Sequence, residues 1–410
     1  MNQRQTAKYS YYALTLLLLV NLLNYVDRQV IYAVFPLIKD AFTLSDAALG
    51  FLGSAFMVCY MLSAPLLGWL GDRVNRVRLA SAGLAVWSVA TSLSGLATSY
   101  RSLLLARVSV GIGEASFGTV SPALLSDYYP REQRGRILST FYLAIPVGSA
   151  FGYLLGGVLG ERFGWQAAFF IVGLPGLLLA IPVWLLREPL RGATEARAEA
   201  VLSPTKADYV TLFSNPPYLL NTFAMTAMTF AMGGLAQWVP SFLYRAHALD
   251  LERANVYFGG ITVLAGVLGT VVGGWLGDLL QKRTGKGYLI VSGWGFVIGA
   301  PLAVWALISA SAVTSLGAMF LAEFFLFLNT GPLNTVIVNV TDPGIRARAF
   351  AVNILVIHAL GDAISPALLG WLSDLWGLQN ALLMTPVAFI AAAVFCLLCA
   401  RSLGKKTGGK

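Results

Sequence analysis

The chain has 410 residues, 57% of them hydrophobic and only 11% charged, and it carries a net charge of +9. A soluble domain has about a quarter charged residues, so a chain this apolar cannot keep its surface in water and has the bilayer as its solvent. Nucleic acid is excluded as the reason for the basic balance, because the lysines and arginines fall on one set of connections between apolar runs, and Cys59, Cys396 and Cys399 sit inside such runs as packing residues rather than as a disulfide or metal set.

Twelve apolar runs of about 20 residues follow one another, the length that crosses a bilayer core. They cover 11–35, 46–70, 78–97, 102–127, 136–160, 166–186, 217–244, 253–280, 287–309, 313–338, 346–372 and 378–400. The first run is long and no small-residue cleavage site follows it, so no cleavable signal is expected. One long polar connection, 187–215, holds Arg187, Glu188, Arg191, Glu195, Arg197, Glu199 and Lys206 with Pro189 and Pro204. The pattern predicts an N-terminal six-helix bundle over 1–186, a cytoplasmic linker over 187–215 with room for a short amphipathic helix, and a C-terminal six-helix bundle over 216–410.

Orientation follows from the basic residues. With both termini on one side, one set of connections carries 21 lysines and arginines, from Arg4 and Lys8 through Arg73, Arg76, Arg78, Arg131, Arg134 and Arg136 to Lys410. The other set carries five: Lys39, Arg101, Arg162, Arg245 and Arg253. Positive charge is retained on the cytoplasmic side, which predicts both termini there.

The second run closes on Gly68-Trp69-Leu70-Gly71-Asp72-Arg73, and the chain repeats the phrase at Gly274-Trp275-Leu276-Gly277-Asp278. Weaker copies stand at Gly157-Val158-Leu159-Gly160-Glu161 and Gly370-Trp371-Leu372-Ser373-Asp374. The strong pair are 206 residues apart and the weak pair 213. This echo predicts two similar halves, each of two inverted three-helix quarters, as in transporters built from repeats. Small residues at one-turn spacing let helices approach closely. An acid at a helix end can meet the N-terminus of a neighbouring helix or a loop arginine. Asp72, Arg73, Arg76, Asp278, Arg134 and Arg136 are therefore candidate gating residues that latch one face of the protein, the other reading being solvated helix ends. Glu161 and Asp374 fall at the outer ends.

Seven ionisable residues lie inside predicted spans: Asp27, Arg28, Arg107, Glu114, Glu323, His358 and Asp362. Charge at that depth costs several kcal/mol, so each is a functional candidate with an expected partner. At 1.5 Å per residue, Asp27 and Arg107, and Arg28 and Glu114, lie within roughly 6 Å of each other in depth. Arg107, Gly111 and Glu114 share one helical face. The spacing predicts a cluster of two acids and two arginines between the first and fourth spans. It can serve as a proton site, where a buried acid exchanges its arginine for a proton or an anionic substrate, or as a permanent neutral staple. Glu323 stands 209 residues after Glu114, as its counterpart in the second half, and His358 and Asp362 are one turn apart and able to hydrogen-bond. Asn329, Asn334, Asn339 and Asn353 add polar points, many of them expected as interhelical glue. Tyr25, Tyr32, Phe56, Tyr60, Phe117, Tyr142, Phe223, Phe230 and Trp238 are candidates for an aromatic lining, although core or lipid-facing packing is the better reading for any single one.

These features resemble the major facilitator superfamily over the whole chain. Gly68 to Arg78 is similar to that family's hallmark after the second helix, with Asn75 where glycine is usual. Within it, three stretches resemble the Spinster family of lipid transporters. They are Asn24-Tyr25-Val26-Asp27-Arg28; Gly111-Ile112-Gly113-Glu114-Ala115-Ser116 with Ile145-Pro146-Val147-Gly148-Ser149; and His358-Ala359-Leu360-Gly361-Asp362 with Ser365-Pro366. The resemblance implies proton-linked movement of lysophospholipids or phosphorylated sphingoid lipids, with Asp27, Arg28 and Glu114 at charged positions important for transport. The short termini look like a bacterial member, which implies the inner membrane.

The expectation is thus an all-α membrane protein of twelve transmembrane helices in two pseudo-symmetric six-helix bundles. It is read as a secondary transporter driven by protons, without cofactor, nucleic acid or metal, and a monomer. Asn24, Tyr25, Asp27, Arg28, Arg107, Glu114, Glu323, His358 and Asp362 are its candidate coupling or substrate residues. The alternative cargo is a small organic anion or drug. A membrane enzyme is disfavoured because no nucleophile–base pair, metal set or phosphate-binding loop is present in the sequence. A non-transporting sensor stays open as an alternative on the sequence, although no signalling domain is seen in it.

Overall fold

The structure, a computed structural model, describes residues 3–190, 206–342 and 345–407. Helices account for nearly all of it, and no strand occurs among the described residues. Of the 187–215 connection, 191–205 lie outside the described residues, so Arg191, Glu195, Arg197, Glu199 and Pro204 do too.

The first helices are α1 (Gln3–Ala33), α2 (Phe35–Phe42), α3 (Asp46–Gly71), α4 (Arg76–Ser94), α5 (Tyr100–Tyr128), α6 (Arg131–Tyr142), α7 (Ala144–Phe163) and α8 (Trp165–Trp184). They are followed by α9 (Lys206–Phe213), α10 (Pro216–Ala246), α11 (Leu251–Thr284), α12 (Gly287–Ile308), α13 (Ala312–Phe327) and α14 (Thr330–Val340). The last are α15 (Arg346–Ile357), a π-helical turn (His358–Asp362), α16 (Ser365–Trp376), α17 (Leu378–Leu382) and α18 (Met384–Thr407). Several spans are two helices in series, with breaks at Leu143, at Leu328–Asn329 and at Leu383.

Eleven of these helical stretches are long and apolar enough to cross a membrane by length and hydropathy alone. The twelfth predicted span, α4, falls short of that measure for a physical reason. It carries Ser81, Ser88, Thr91 and Ser94, all buried, and three of these hydroxyls, those of Ser81, Thr91 and Ser94, find partners inside the protein. Ser81 Oγ donates to the Ala180 carbonyl at 2.8 Å and Ser94 Oγ to the Ala90 carbonyl at 3.1 Å. The fold is the twelve-helix arrangement the sequence predicts. Large apolar side chains on the outside, such as Leu66 at 70% and Leu178 at 71% exposure, suit lipid rather than water.

Contacts divide the chain into two units. The first is 1–44, 55–202 and 250–259; the second is 45–54, 203–249 and 260–410. Helices α3 and α11 therefore each contribute to both. In the first unit α1 packs along α7, and α4 along α5 and α8. Gly148, Gly152 and Gly156 line the α1 face of α7. A Cβ there would lie 2.6 Å from the Leu22 carbonyl, 2.6 Å from the Val26 carbonyl and 2.5 Å from Ala33 Cβ, so small residues at one-turn spacing bring the backbones together. In the second unit α10 packs on α18, and α12 on α13 and α18. There Tyr218 Oη donates to the Ala349 carbonyl at 2.7 Å and Asn221 Nδ2 to the Leu333 carbonyl at 3.1 Å.

Candidate functional site

Four charged residues inside the membrane-spanning helices of the first unit, Asp27, Arg28, Arg107 and Glu114, form two ion pairs. Arg28 Nε donates to Glu114 Oε2 at 2.7 Å, and Arg107 Nη1 to Asp27 Oδ1 at 3.2 Å. The sequence reading paired them this way on depth alone. Helix α1 supplies Asp27 and Arg28 on adjacent positions, so their side chains diverge by about 100° around the axis. Each then meets one of two α5 residues that lie two turns apart on one face. Thr91 of α4 adds a hydroxyl that donates to Asp27 Oδ2. Both side chains of the Asp27–Arg107 pair are almost wholly buried, at 2% and 1% exposure, and Glu114 is at 0%, whereas Arg28 keeps 17%. Arg28 is therefore the accessible member of the quartet. Glu114 Oε1 and Arg107 Nε and Nη2 are buried without a hydrogen-bond partner among the described residues. The quartet is neutral overall but not fully satisfied, a costly state in a low dielectric.

Aromatic rings surround the guanidiniums. Arg28 Cζ lies 5.1 Å from the Tyr25 centroid and 4.8 Å from that of Tyr60. Asn24, one residue before Tyr25, is buried, and its Nδ2 has no hydrogen-bond partner among the described residues. Phe117 and Trp238, offered as possible lining, are instead core. Phe117 stacks edge-on against Trp87 at 5.7 Å, and Trp238 Nε1 donates to the Pro366 carbonyl at 3.1 Å.

The second unit is built differently. Glu323 on α13 is 9% exposed, its Oε1 accepts from Thr262 Oγ1 at 3.3 Å, and its Oε2 has no hydrogen-bond partner among the described residues. No basic group lies within ion-pair distance of it among the described residues. His358 and Asp362 do meet, with Nδ1 2.9 Å from Oδ1, but across a π-helical turn rather than an α-helical one. Such turns insert one residue into a helix and re-aim side chains. Pro366 follows at the start of α16. The other histidine, His247, lies in the connection between α10 and α11, edge-on to Phe242 at 5.4 Å, where burial lowers its pKa. Two of the four asparagines make local bonds: Asn334 Nδ2 donates to the Thr330 carbonyl of its own helix at 2.8 Å, and Asn329, in the break before α14, donates to the Leu326 carbonyl of α13.

The helix-end acids fall into two kinds. Asp374 accepts from the Asp46 and Ala47 amides at 2.8 Å each, capping α3 within the second unit. Glu161 accepts from the Glu252 amide at 2.6 Å, capping α11 within the first. An acid at a helix N-terminus is stabilised by the dipole and by the orphan amides. Asp46 itself is held bidentately by Arg245 at 2.7 and 2.9 Å, with Ser373 Oγ at 2.5 Å. At the opposite helix ends, Asp278 accepts from Tyr288 Oη at 2.8 Å. Arg73 stacks on Trp69 at 3.9 Å, Arg134 Nε donates to the Ser126 carbonyl at 3.0 Å, and Asp72 and Arg136 are exposed. Arg76 is buried in a network of its own unit, bonded to Asp127 at 2.6 Å and Glu188 at 2.9 Å.

The partners of these groups were hidden from the sequence. Thr91 looks like any threonine in an apolar run, and Asp127 and Glu188 look like solvated ends. The Asp46–Arg245 pair joins residues 199 positions apart; the one sequence signal was an acid in the first turn of a span.

A family model described as Major Facilitator Superfamily matches residues 17–366. The chain is 36% identical over 376 residues to Protein spinster homolog 1 of Homo sapiens, which covers 87% of this chain and 71% of that protein. It is 33% identical over 374 residues to Protein spinster of Drosophila melanogaster, covering 89% of this chain and 62% of the fly protein's length. Its fold is similar to the crystal structure of a bacterial homologue of the human lysosomal transporter Spinster, in an inward-facing and unoccupied conformation. That likeness has a TM-score of 0.89 and 26% identity, and covers 97% of this chain and 98% of the other. On sequence and on fold alike, the chain belongs to the major facilitator superfamily and, within it, to the Spinster family of transporters.

Proposed function

We propose that the protein is a proton-coupled secondary transporter of an amphipathic lipid, such as a lysophospholipid or a phosphorylated sphingoid lipid. The observation that carries this reading is the buried quartet of Asp27, Arg28, Arg107 and Glu114, whose two ion pairs sit within membrane-spanning helices of one unit. A proton arriving on Glu114 removes the charge that holds Arg28. The guanidinium, already the exposed member, then turns to an oxyanion such as a lipid phosphate, for which its planar fork is suited. Asp27 stays with Arg107 and Thr91 and senses the same field. Glu323 and the His358–Asp362 pair serve as secondary proton sites. Rocking of two six-helix bundles, 1–186 and 216–410 joined by a cytoplasmic linker, alternates access. Asp72, Arg73, Arg76, Asp278, Arg134 and Arg136 act at the gate on one side. The protein works as a monomer in the inner membrane of a bacterium, with both termini cytoplasmic.

The test is uptake of a labelled lysophospholipid into proteoliposomes driven by a proton gradient, with Asp27→Asn and Glu114→Gln alongside the wild type. Loss of gradient dependence in both variants, with the fold intact, supports the reading. Uptake of a soluble organic anion or drug but no lipid by the wild type would replace the cargo. Unchanged coupling in both variants would return the quartet to a structural role.

A further inference from the structure

The Asp27–Arg107 and Arg28–Glu114 pairs share one aromatic ring. Phe56 on α3 is 1% exposed. Arg28 Cζ lies 5.4 Å from its ring centroid, and Arg107 Cζ lies 5.2 Å from the same centroid. Of the two guanidiniums, Tyr25 and Tyr60 face only that of Arg28 among the described residues, and the Tyr60 ring packs on Phe56 at 6.3 Å. The face of an aromatic ring attracts a cation within about 6 Å, most strongly where both are desolvated. Phe56 is fixed in turn by the helix that carries Arg107 and Glu114. Gly111 of α5 packs so closely that a Cβ there would be 2.6 Å from the Phe56 carbonyl oxygen.

We infer that Phe56 is a positioning residue: its ring holds both guanidiniums against their acids, so the Asp27 and Glu114 pairs respond together rather than one at a time. The groups that face this ring and its cations are Tyr25, Asp27 and Arg28 from α1, Tyr60 from α3 and Arg107 and Glu114 from α5. Thr91 of α4 brings a hydroxyl but no charge. A leucine at 56 keeps apolar bulk but has no quadrupole. Both guanidiniums then loosen, both carboxylates lose part of their stabilisation, and both acids take up a proton at higher pH. The consequence for transport rests on the proton-coupled reading above; the coupling of the pairs does not.

The experiment is infrared titration of the carboxyl bands of the full chain in lipid, with the Asp27 and Glu114 bands assigned through Asp27→Asn and Glu114→Gln. Phe56→Leu is expected to raise both midpoints by about half a pH unit to one unit. Phe56→Tyr, which keeps the ring face, restores them. Tyr60→Leu moves the Glu114 band alone. Phe117→Leu, an aromatic loss in the same core without a guanidinium partner, moves neither. Phe56→Met supplies the ring-free variant if the leucine variant does not fold. The inference is overturned if the ring-free variant moves one band or none, if Phe117→Leu moves both equally, or if neither band titrates in the wild type. Wild-type lipid uptake measured on the same vesicles separates the readings: its absence sinks the lipid transport reading, while the band titration still decides Phe56.

Discussion

Glu114 and Glu323 stand 209 residues apart, close to the offset of the repeated helix-end phrase, yet their surroundings have diverged. Glu114 meets a guanidinium at 2.7 Å, with a second ion pair beside it. Glu323 meets one threonine hydroxyl at 3.3 Å. Burying a charge without a partner is expensive, so the two settings offer a carboxyl different support. The same acid at the same place in a repeat thus forms half of an ion pair in one unit and a single hydrogen bond to a threonine in the other. The repeat sets position; the neighbours set chemistry. The first unit places two ion pairs in the middle of its helices in addition to the helix-end network of Arg76, whereas the second puts its clearest ion pair, Asp46 with Arg245, at helix ends.

The comparison breaks most completely by removing one cation from the first unit. Arg107→Leu leaves Asp27 buried with only the Thr91 hydroxyl, and stranding one member of a buried pair costs about 3–5 kcal/mol. Thermal unfolding of the purified protein in detergent measures this as a large fall in Tm. Adding Asp27→Asn to the same chain removes the stranded charge and is expected to restore much of the loss. Equal and additive losses would show that Asp27 and Arg107 do not act as a pair.

A second route reaches the quartet from behind. Gly83 of α4 lies against α5 so tightly that a Cβ would be 1.5 Å from Ser116 Oγ and 2.6 Å from the Gly113 carbonyl. Gly83→Ala must push the two helices apart or force Ser116 into another rotamer, and overpacking of this kind costs about 1–3 kcal/mol. Because α4 also carries Thr91, the change is expected to perturb the Asp27 carboxyl band as well as lower Tm. A lower Tm with an unaltered band would confine the strain to the packing.

How much of this was written in the sequence depends on the range of each interaction. Charged residues inside apolar runs stand out one by one, and depth along a helix can be counted, so the pairing Arg28–Glu114 and Asp27–Arg107 was legible. The His358–Asp362 contact was legible for the same reason, since it is local. The π-helical turn that joins them was not, because one inserted residue leaves the apolar pattern unchanged. Thr91 could not be singled out from many threonines, and Phe56 was one of nine candidate lining aromatics with nothing to set it apart, as their roles depend on which face of α4 or α3 meets α5. The breaks at Leu143 and Leu328 fall inside continuous apolar runs, and hydropathy cannot register them.

At the helix ends, the second unit can be probed where its ionic contacts lie. Asp374→Asn keeps the shape of the α3 cap but removes its charge. Loss of a charged cap at a helix N-terminus is worth about 0.3–1 kcal/mol when exposed. Asp374 is on the surface, so the effect is expected at the low end and should fade in high salt. A salt-independent loss would mean that the hydrogen bonds to the Asp46 and Ala47 amides, rather than the charge, carry the cap.

The smallest effect is expected where the comparison is sharpest. Glu323→Gln swaps a carboxyl for an amide of the same shape beside Thr262. Since no guanidinium is stranded and Gln can still accept from the Thr262 hydroxyl, the change in stability should be under about 1 kcal/mol, within the range of a single hydrogen bond. Glu114→Gln, the same substitution at the matching place, leaves Arg28 without its counter-charge and should cost several times more. Measured side by side by thermal unfolding, the two variants test the contrast directly. Similar losses would mean that Glu323 is charged in the folded protein and has a cationic partner after all, and the two units would then hold their acids in the same way.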